Sequence, residues 1–148
     1  LPLPAGTNVG SFAVSPNGLH IAVVTCTTAS AAALCGPTST YNLYVFTAAS
    51  LATLPAPAYT ASAGTLQALE VAFGPSSNFV YLNVVRQTFS GAGGGGNYAT
   101  GAYIRLGTAA AVNPSTPPTW TGVFPADPAA SVRGFRCLTS RDDATHVC

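Results

Sequence analysis

Apolar and polar residues alternate along this chain in short runs, and most runs are bounded by Gly, Pro, Asn or Ser. Residues 9–14 (VGSFAV) lead into Ser15-Pro16-Asn17-Gly18, and residues 19–25 (LHIAVVT) follow. Asn-Gly between two apolar runs is a strong hairpin signal, because both residues tolerate the positive φ of a type I′ turn. With Asn17 and Gly18 as the loop, Val14 faces Ile21 and Phe12 faces Val23. These are the apolar cross-strand pairs that hold a sheet together. Residues 41–47 (YNLYVFT) predict the next strand, and 52–64 (ATLPAPAYTASAG) a Pro-broken connection. A second hairpin is predicted from LQALEVAF (66–73), GPSS (74–77) and NFVYLNVVRQ (78–87), with a further strand at 97–107 (NYATGAYIRLG). GAGGGG (91–96) reads as a flexible loop, and 112–125 as an extended, Pro-rich stretch with an edge strand at 119–124. The Ala-rich stretches 27–34 and 108–112 are short and bounded by Gly or Pro, so no stable helix is expected in either.

Residues 131–148 (SVRGFRCLTSRDDATHVC) predict a third hairpin. With Asp142-Asp143 as its loop, Arg141 pairs with Ala144, Thr139 with His146, and Cys137 falls opposite Cys148. Directly opposed antiparallel residues lie within the roughly 4.4–6.8 Å that a disulfide needs between Cα atoms. The chain has 4 Cys, which allow three pairings. Two local bridges, Cys26–Cys35 and Cys137–Cys148, are the simplest choice, and a distant partner for Cys148 is the alternative. Zinc sites favour Cys-x-x-Cys clusters, which these spacings lack, so disulfides and an oxidising compartment are the expectation.

The first two hairpins share one plan. FAVSPNGLHIAVV (12–24) laid over VAFGPSSNFVYLNVV (71–85) shows an apolar strand, a Ser/Gly-Pro turn and an apolar strand, with Pro16 and Pro75 59 residues apart. NLYVFTAASLATL (42–54) follows the first copy and AYIRLGTAAAV (102–112) the second, while CLTSRDDATHVC (137–148) is a third, weaker copy. The pattern resembles YVTN/TolB-like and WD-type β-propeller repeats, whose blades run VAFSPDG, an apolar strand, a gap, then LYVFDAATG. The resemblance covers most of residues 9–112, without a WD dipeptide. It implies propeller-type blades, with units at about 9–64, 65–126 and 131–148. Propellers close with about 4–8 blades. A single 1–148 module with two blades and the start of a third is therefore expected to be part of a longer protein or of an assembly of chains. The fold class is all-β, built from antiparallel hairpins of an incomplete propeller, with a β-sandwich as the alternative reading of the same short strands.

Composition changes this picture in one respect. Charged residues make up only 6% of the chain, against about 25% in ordinary soluble domains. A surface of Ser, Thr, Asn, Ala and Gly offers little charge repulsion, which eases association with copies of itself, other chains or glycan. The net charge is +1, and no basic stripe supports nucleic-acid binding. No apolar run approaches the roughly 18 residues of a membrane span. The first residues, LPLPAGTNVG, have no basic segment and no long apolar stretch, and fit a mature end left by cleavage. No N-glycosylation sequon occurs, so sugar is expected only as O-linked glycan on Ser/Thr/Pro stretches.

Chemistry-bearing residues are scarce. The four acids are Glu70, Asp127, Asp142 and Asp143, and the histidines are His20 and His146. Glu70 reads as an outward strand residue, and Asp142-Asp143 as a turn. A disulfide at Cys148 would consume the thiol that His146 would otherwise activate. GAGGGG matches G-x-G-x-x-G as a string, but no helix follows to receive a phosphate. Neither a catalytic set, a metal site nor a cofactor is predicted, and the chain is expected not to be an enzyme. Trp120, Tyr98 and Tyr59 are the expected contacts for a protein or glycan partner, while Tyr44 and Tyr81 are expected to pack within the fold. The functional expectation is an extracellular structural or adhesive module, part of a cell-surface assembly or filament. The alternatives are a ligand- or glycan-binding propeller domain and a non-catalytic part of a secreted hydrolase.

Overall fold

A computed structural model describes residues 1–28, 35, 39–61, 67–88, 98–112, 138–139 and 146–147. The described residues are all-β, in antiparallel sheets. Strands β1 (Thr7–Val14), β2 (His20–Thr27), β3 (Thr40–Thr47) and β4 (Tyr59–Ala61) form a four-stranded meander in that order. A second meander holds β5 (Gln67–Phe73), β6 (Phe79–Thr88) and β7 (Tyr98–Gly107), followed by the one-turn helix α1 (Thr108–Val112). Strands β8 (Leu138–Thr139) and β9 (His146–Val147) make a two-stranded ladder. Its pairs, Thr139 with His146 and Leu138 with Val147, follow the register expected of the third hairpin. Cys137, Cys148 and the Asp142-Asp143 turn lie outside the described residues, as do GAGGGG and the expected edge strand at 119–124.

The first hairpin has the expected register: Phe12 lies opposite Val23 and Val14 opposite Ile21. Its turn differs from the expectation. Gly18 N–H donates to the Ser15 carbonyl at 2.8 Å, and Ser15 N–H to the His20 carbonyl at 3.0 Å. Gly18 takes a positive φ of 70°, whereas Asn17 does not. Pro16 and Asn17 are thus the central residues, with Gly18 following in the left-handed region, and the turn is not type I′. Proline explains the difference, since its ring fixes φ near −65° and suits the first central position of an ordinary β-turn. The register survives because either turn spans the same residues between Ser15 and His20.

The second hairpin repeats this construction. Ser77 N–H donates to the Gly74 carbonyl at 2.9 Å, Gly74 N–H to the Phe79 carbonyl at 2.9 Å, and Ser77 stands at φ 64° where the first turn has Gly18. Both first strands carry a register shift, between Val9 and Ser11 in β1 and between Ala68 and Glu70 in β5. Beyond each turn the third strand leads into a helical turn. Ala48 N–H meets the Leu19 carbonyl and Thr108 N–H the Asn78 carbonyl, both at 2.8 Å.

The helix α1 corrects the expectation for 108–112. Five residues cannot sustain a helix by propensity alone. Here Ala111 is buried in the main core, Val112 packs against that core, and the Thr108 hydroxyl donates to the Ser77 carbonyl at 2.8 Å. Tertiary packing supplies what the short sequence lacks.

Cross-strand rows define the two faces of each sheet. In the first sheet, Ala13, Ala22 and Val45 form one row of the inner face, next to Val24 and Leu43. These residues share one apolar cluster with Val71, Val80, Leu82, Leu106 and Ala111 of the second sheet and α1. The opposite, outer face holds the rows Phe12–Val23–Tyr44 and Val14–Ile21–Phe46. There Val23, Tyr44 and Phe46 form a smaller cluster under Leu3 and Ile21. Two hydrogen bonds also join the sheets: Val71 N–H to Ser11 Oγ at 3.0 Å and Asn17 N–H to Ser77 Oγ at 3.1 Å.

The disulfide Cys26–Cys35 pins the end of β2, with its Cα atoms 6.0 Å apart. Cys26 is fully buried in the inner cluster, and Cys35 packs against it. Closing so short a loop stabilises the fold by about 2–3 kcal/mol. Urea titration with and without reductant should show that loss, with a larger m-value if reduction expands the unfolded chain. Gly18→Ala isolates the backbone effect, because a Cβ there meets no atom within 4 Å. That variant should lose about 1–2 kcal/mol in the same titration, the cost of an L-residue in the left-handed region.

Candidate interaction surface

Short polar side chains lock the tip of the first hairpin. Ser15 Oγ lies 2.7 Å from Asn17 Oδ1 and accepts the His20 N–H at 2.9 Å, and Asn17 Oδ1 accepts the Leu19 N–H at 3.0 Å. Ser15 is buried, so its hydroxyl serves the turn. The Ser15 hydroxyl bonds to Asn17 and to the backbone of His20. The half-buried His20 ring instead sits 6.4 Å from the Phe73 ring, tilted by 34°, across the junction of the sheets. Glu70 is exposed on β5, as an outward strand residue should be. Among the described residues, no three His, Cys, Asp or Glu side chains gather as a metal site.

The aromatic residues divide clearly. Tyr44 and Tyr81 are buried, as expected. Tyr59, an expected partner contact, is a core residue: it lies in β4 opposite Leu43 and is only 8% exposed. The Pro-broken stretch before it suggested an exposed loop, but β4 adds to the sheet edge and turns the ring inward. Burial pushes the Tyr59 phenol up to about 12, and burial also raises that of Tyr44. Tyr98 is a strand residue of β7 opposite Thr88. Trp120 lies outside the described residues. Arg105 places its guanidinium 3.7 Å over the Phe79 ring, a cation–π contact within the second sheet.

The apolar surface lies elsewhere, on β1 and the hairpin tip. Phe12 is 67% exposed, and Val9, Val14 and Leu19 are more than half exposed. Phe12 and Val14 continue the buried rows of the outer face to the sheet's edge. The sequence pairs these two residues with Val23 and Ile21, as the sheet does, but gives no reading of their exposure. The available signal was β2: its unbroken IAVV run lacks a polar face, as in strands that need cover on both sides.

No helix among the described residues is long and apolar enough to cross a membrane. No protein-family profile matches the chain, and no curated protein or solved structure is significantly similar to it.

The Tyr59 phenol gives a pH test. Its folded value exceeds the ordinary value of 10.0, so the folded state holds this proton more tightly than the unfolded state. The stability tied to it is complete below pH 10 and declines as pH rises through about 12. Ultraviolet titration of tyrosinate should show a phenol ionising near 12 that Tyr59→Phe removes. A phenol titrating near 10 at that position would contradict its burial.

Proposed function

We propose that this chain is a non-catalytic structural module of the extracellular space that works by packing against other protein chains. The observation that carries the reading is the apolar rim on β1, where Phe12 and Val14 extend a core row into solvent. A ring as large as Phe on an open strand is stabilised by burial at roughly 25 cal/mol per Å² of apolar surface removed from water. Contiguous exposed apolar surface of this kind marks interaction sites. The disulfide supports an oxidising compartment, where such bonds form and persist. The low charge supports close packing against neighbours.

Within this reading the two meanders are propeller-type blades. Their support is the shared plan of turn, register shift and strand-to-helix exit, together with the resemblance of FAVSPNGLHIAVV and NLYVF to blade motifs. Blades stack face to face, and a sheet with apolar rows on both faces suits that role.

Fractionation of the producing cells tests the function. The chain should appear in the extracellular or surface fraction, with Cys26 and Cys35 resistant to thiol labelling until reductant is added. Under native conditions it should migrate in a complex well above its own 14.8 kDa. A cytosolic pool with freely labelled thiols, or a lone monomer in the surface fraction, would overturn the reading.

A further inference from the structure

The outer rows of the two sheets are covered in different ways. In the second sheet, Val71 and Val80 are buried in the cluster shared with the first sheet's inner face. In the first sheet the matching face keeps Val23, Tyr44 and Phe46 buried as well. Among the described residues, the apolar side chain that reaches this cluster from outside the sheet is Leu3. Leu3 belongs to the segment ahead of β1. That segment reverses direction between Pro4 and Thr7, where the Thr7 N–H and the Thr7 hydroxyl both donate to the Pro4 carbonyl, at 3.3 and 2.7 Å. Gly6 makes the reversal with a φ of 76°. The turn lays residues 1–4 back over the sheet as a strap.

The strap is lightly held. Pro2 and Pro4 have no N–H, which unfits the segment for the ladder as a further strand. Among the described residues, its hydrogen bonds all end on the Pro4 carbonyl, within its own turn. Leu3 is half-buried, while Leu1 and Pro2 are exposed. A segment with one apolar anchor and no ladder bonds opens at far lower cost than the sheet beneath it. Its lifting uncovers the part of the outer cluster that Leu3 holds.

We propose that residues 1–6 are a hinged strap that shields the outer face of the first sheet in the separate chain, and lifts at Gly6 when that face packs against another chain. The strap is thus an autoinhibitory contact. It rests on the packing role argued above and supplies its control.

Acetylation of tyrosines by N-acetylimidazole tests the strap, read by mass spectrometry on the purified, oxidised chain. Tyr44 belongs to the outer cluster and Tyr41 to the inner one, on opposite faces of β3. Unfolding exposes both, whereas lifting the strap exposes Tyr44 alone. Leu3→Ser removes the anchor. Gly6→Ala keeps the anchor and strains the hinge through φ alone, because a Cβ there meets no atom within 4 Å. Each should speed acetylation of Tyr44 by about 5–30-fold and leave Tyr41 unchanged. Leu1→Ser, at an exposed position, should change neither rate. A Tyr44 rate indifferent to Leu3→Ser or Gly6→Ala, or a Tyr41 rate rising in step with it, would overturn the strap. In extracts of the producing cells, the complex formed by Gly6→Ala should withstand about 5–30-fold greater dilution, because apparent affinity scales with the population of the open form. An unchanged dilution midpoint would overturn the gating. A lone monomer for every variant would defeat the packing role and the gating that rests on it, while the two tyrosine rates would still decide the strap itself.

Discussion

The packing of one meander on the other is the interaction on which the rest depends. Ala22, Val24, Leu43 and Val45 on the first sheet and Val71, Val80, Leu82 and Leu106 on the second belong to one buried cluster. Neither sheet has a large core of its own, and small isolated sheets are marginal in water. Stacking them removes apolar rows of both from solvent. It also sets the small residues: Ala13 and Ala22 lie side by side in one inner row, next to the sheet-to-sheet bond from Val71 to Ser11. The disulfide and α1 are attached to this same cluster, so local features that would be weak alone are held by it.

The all-β fold and the hairpin registers were legible in the sequence because they follow from period-two alternation and a turn of fixed span. Val14 had to meet Ile21 however the turn was made. The turn itself was less legible, because Asn-Gly and Pro-Asn compete for the central positions and the proline prevails through its fixed φ. The helix at 108–112 was illegible for a different reason. Its five residues fold through Ala111 and the Thr108 hydroxyl, whose partners lie in other elements.

The surface was harder to read than the core. An apolar residue on a strand reveals which side it faces but not whether anything covers that side. Phe12 and Val71 occupy matching positions of the two hairpins, yet one is 67% exposed and the other 6%. Tyr59 differs in the opposite sense: prolines at 55 and 57 suggested a loop, while Tyr41, Asn42 and Leu43 at the start of β3 recruit residues 59–61 as an edge strand. Burial of this kind belongs to the tertiary arrangement and is invisible to local pattern.

Ser77 carries a consequence of its own. It occupies a backbone conformation that suits glycine, at a cost of about 1–2 kcal/mol for an L-residue. Yet its hydroxyl receives the Asn17 N–H from the neighbouring turn. A serine that strains its own turn thus completes the hydrogen bonding of the other. Segments built on one plan are often pictured as beads that could be exchanged along a string. Here each bead is marked: the glycine turn has an N–H to give, and the serine turn has the oxygen to receive it. Transposed, the glycine turn would have no hydroxyl to offer its neighbour, and the Asn17 N–H would lose this partner.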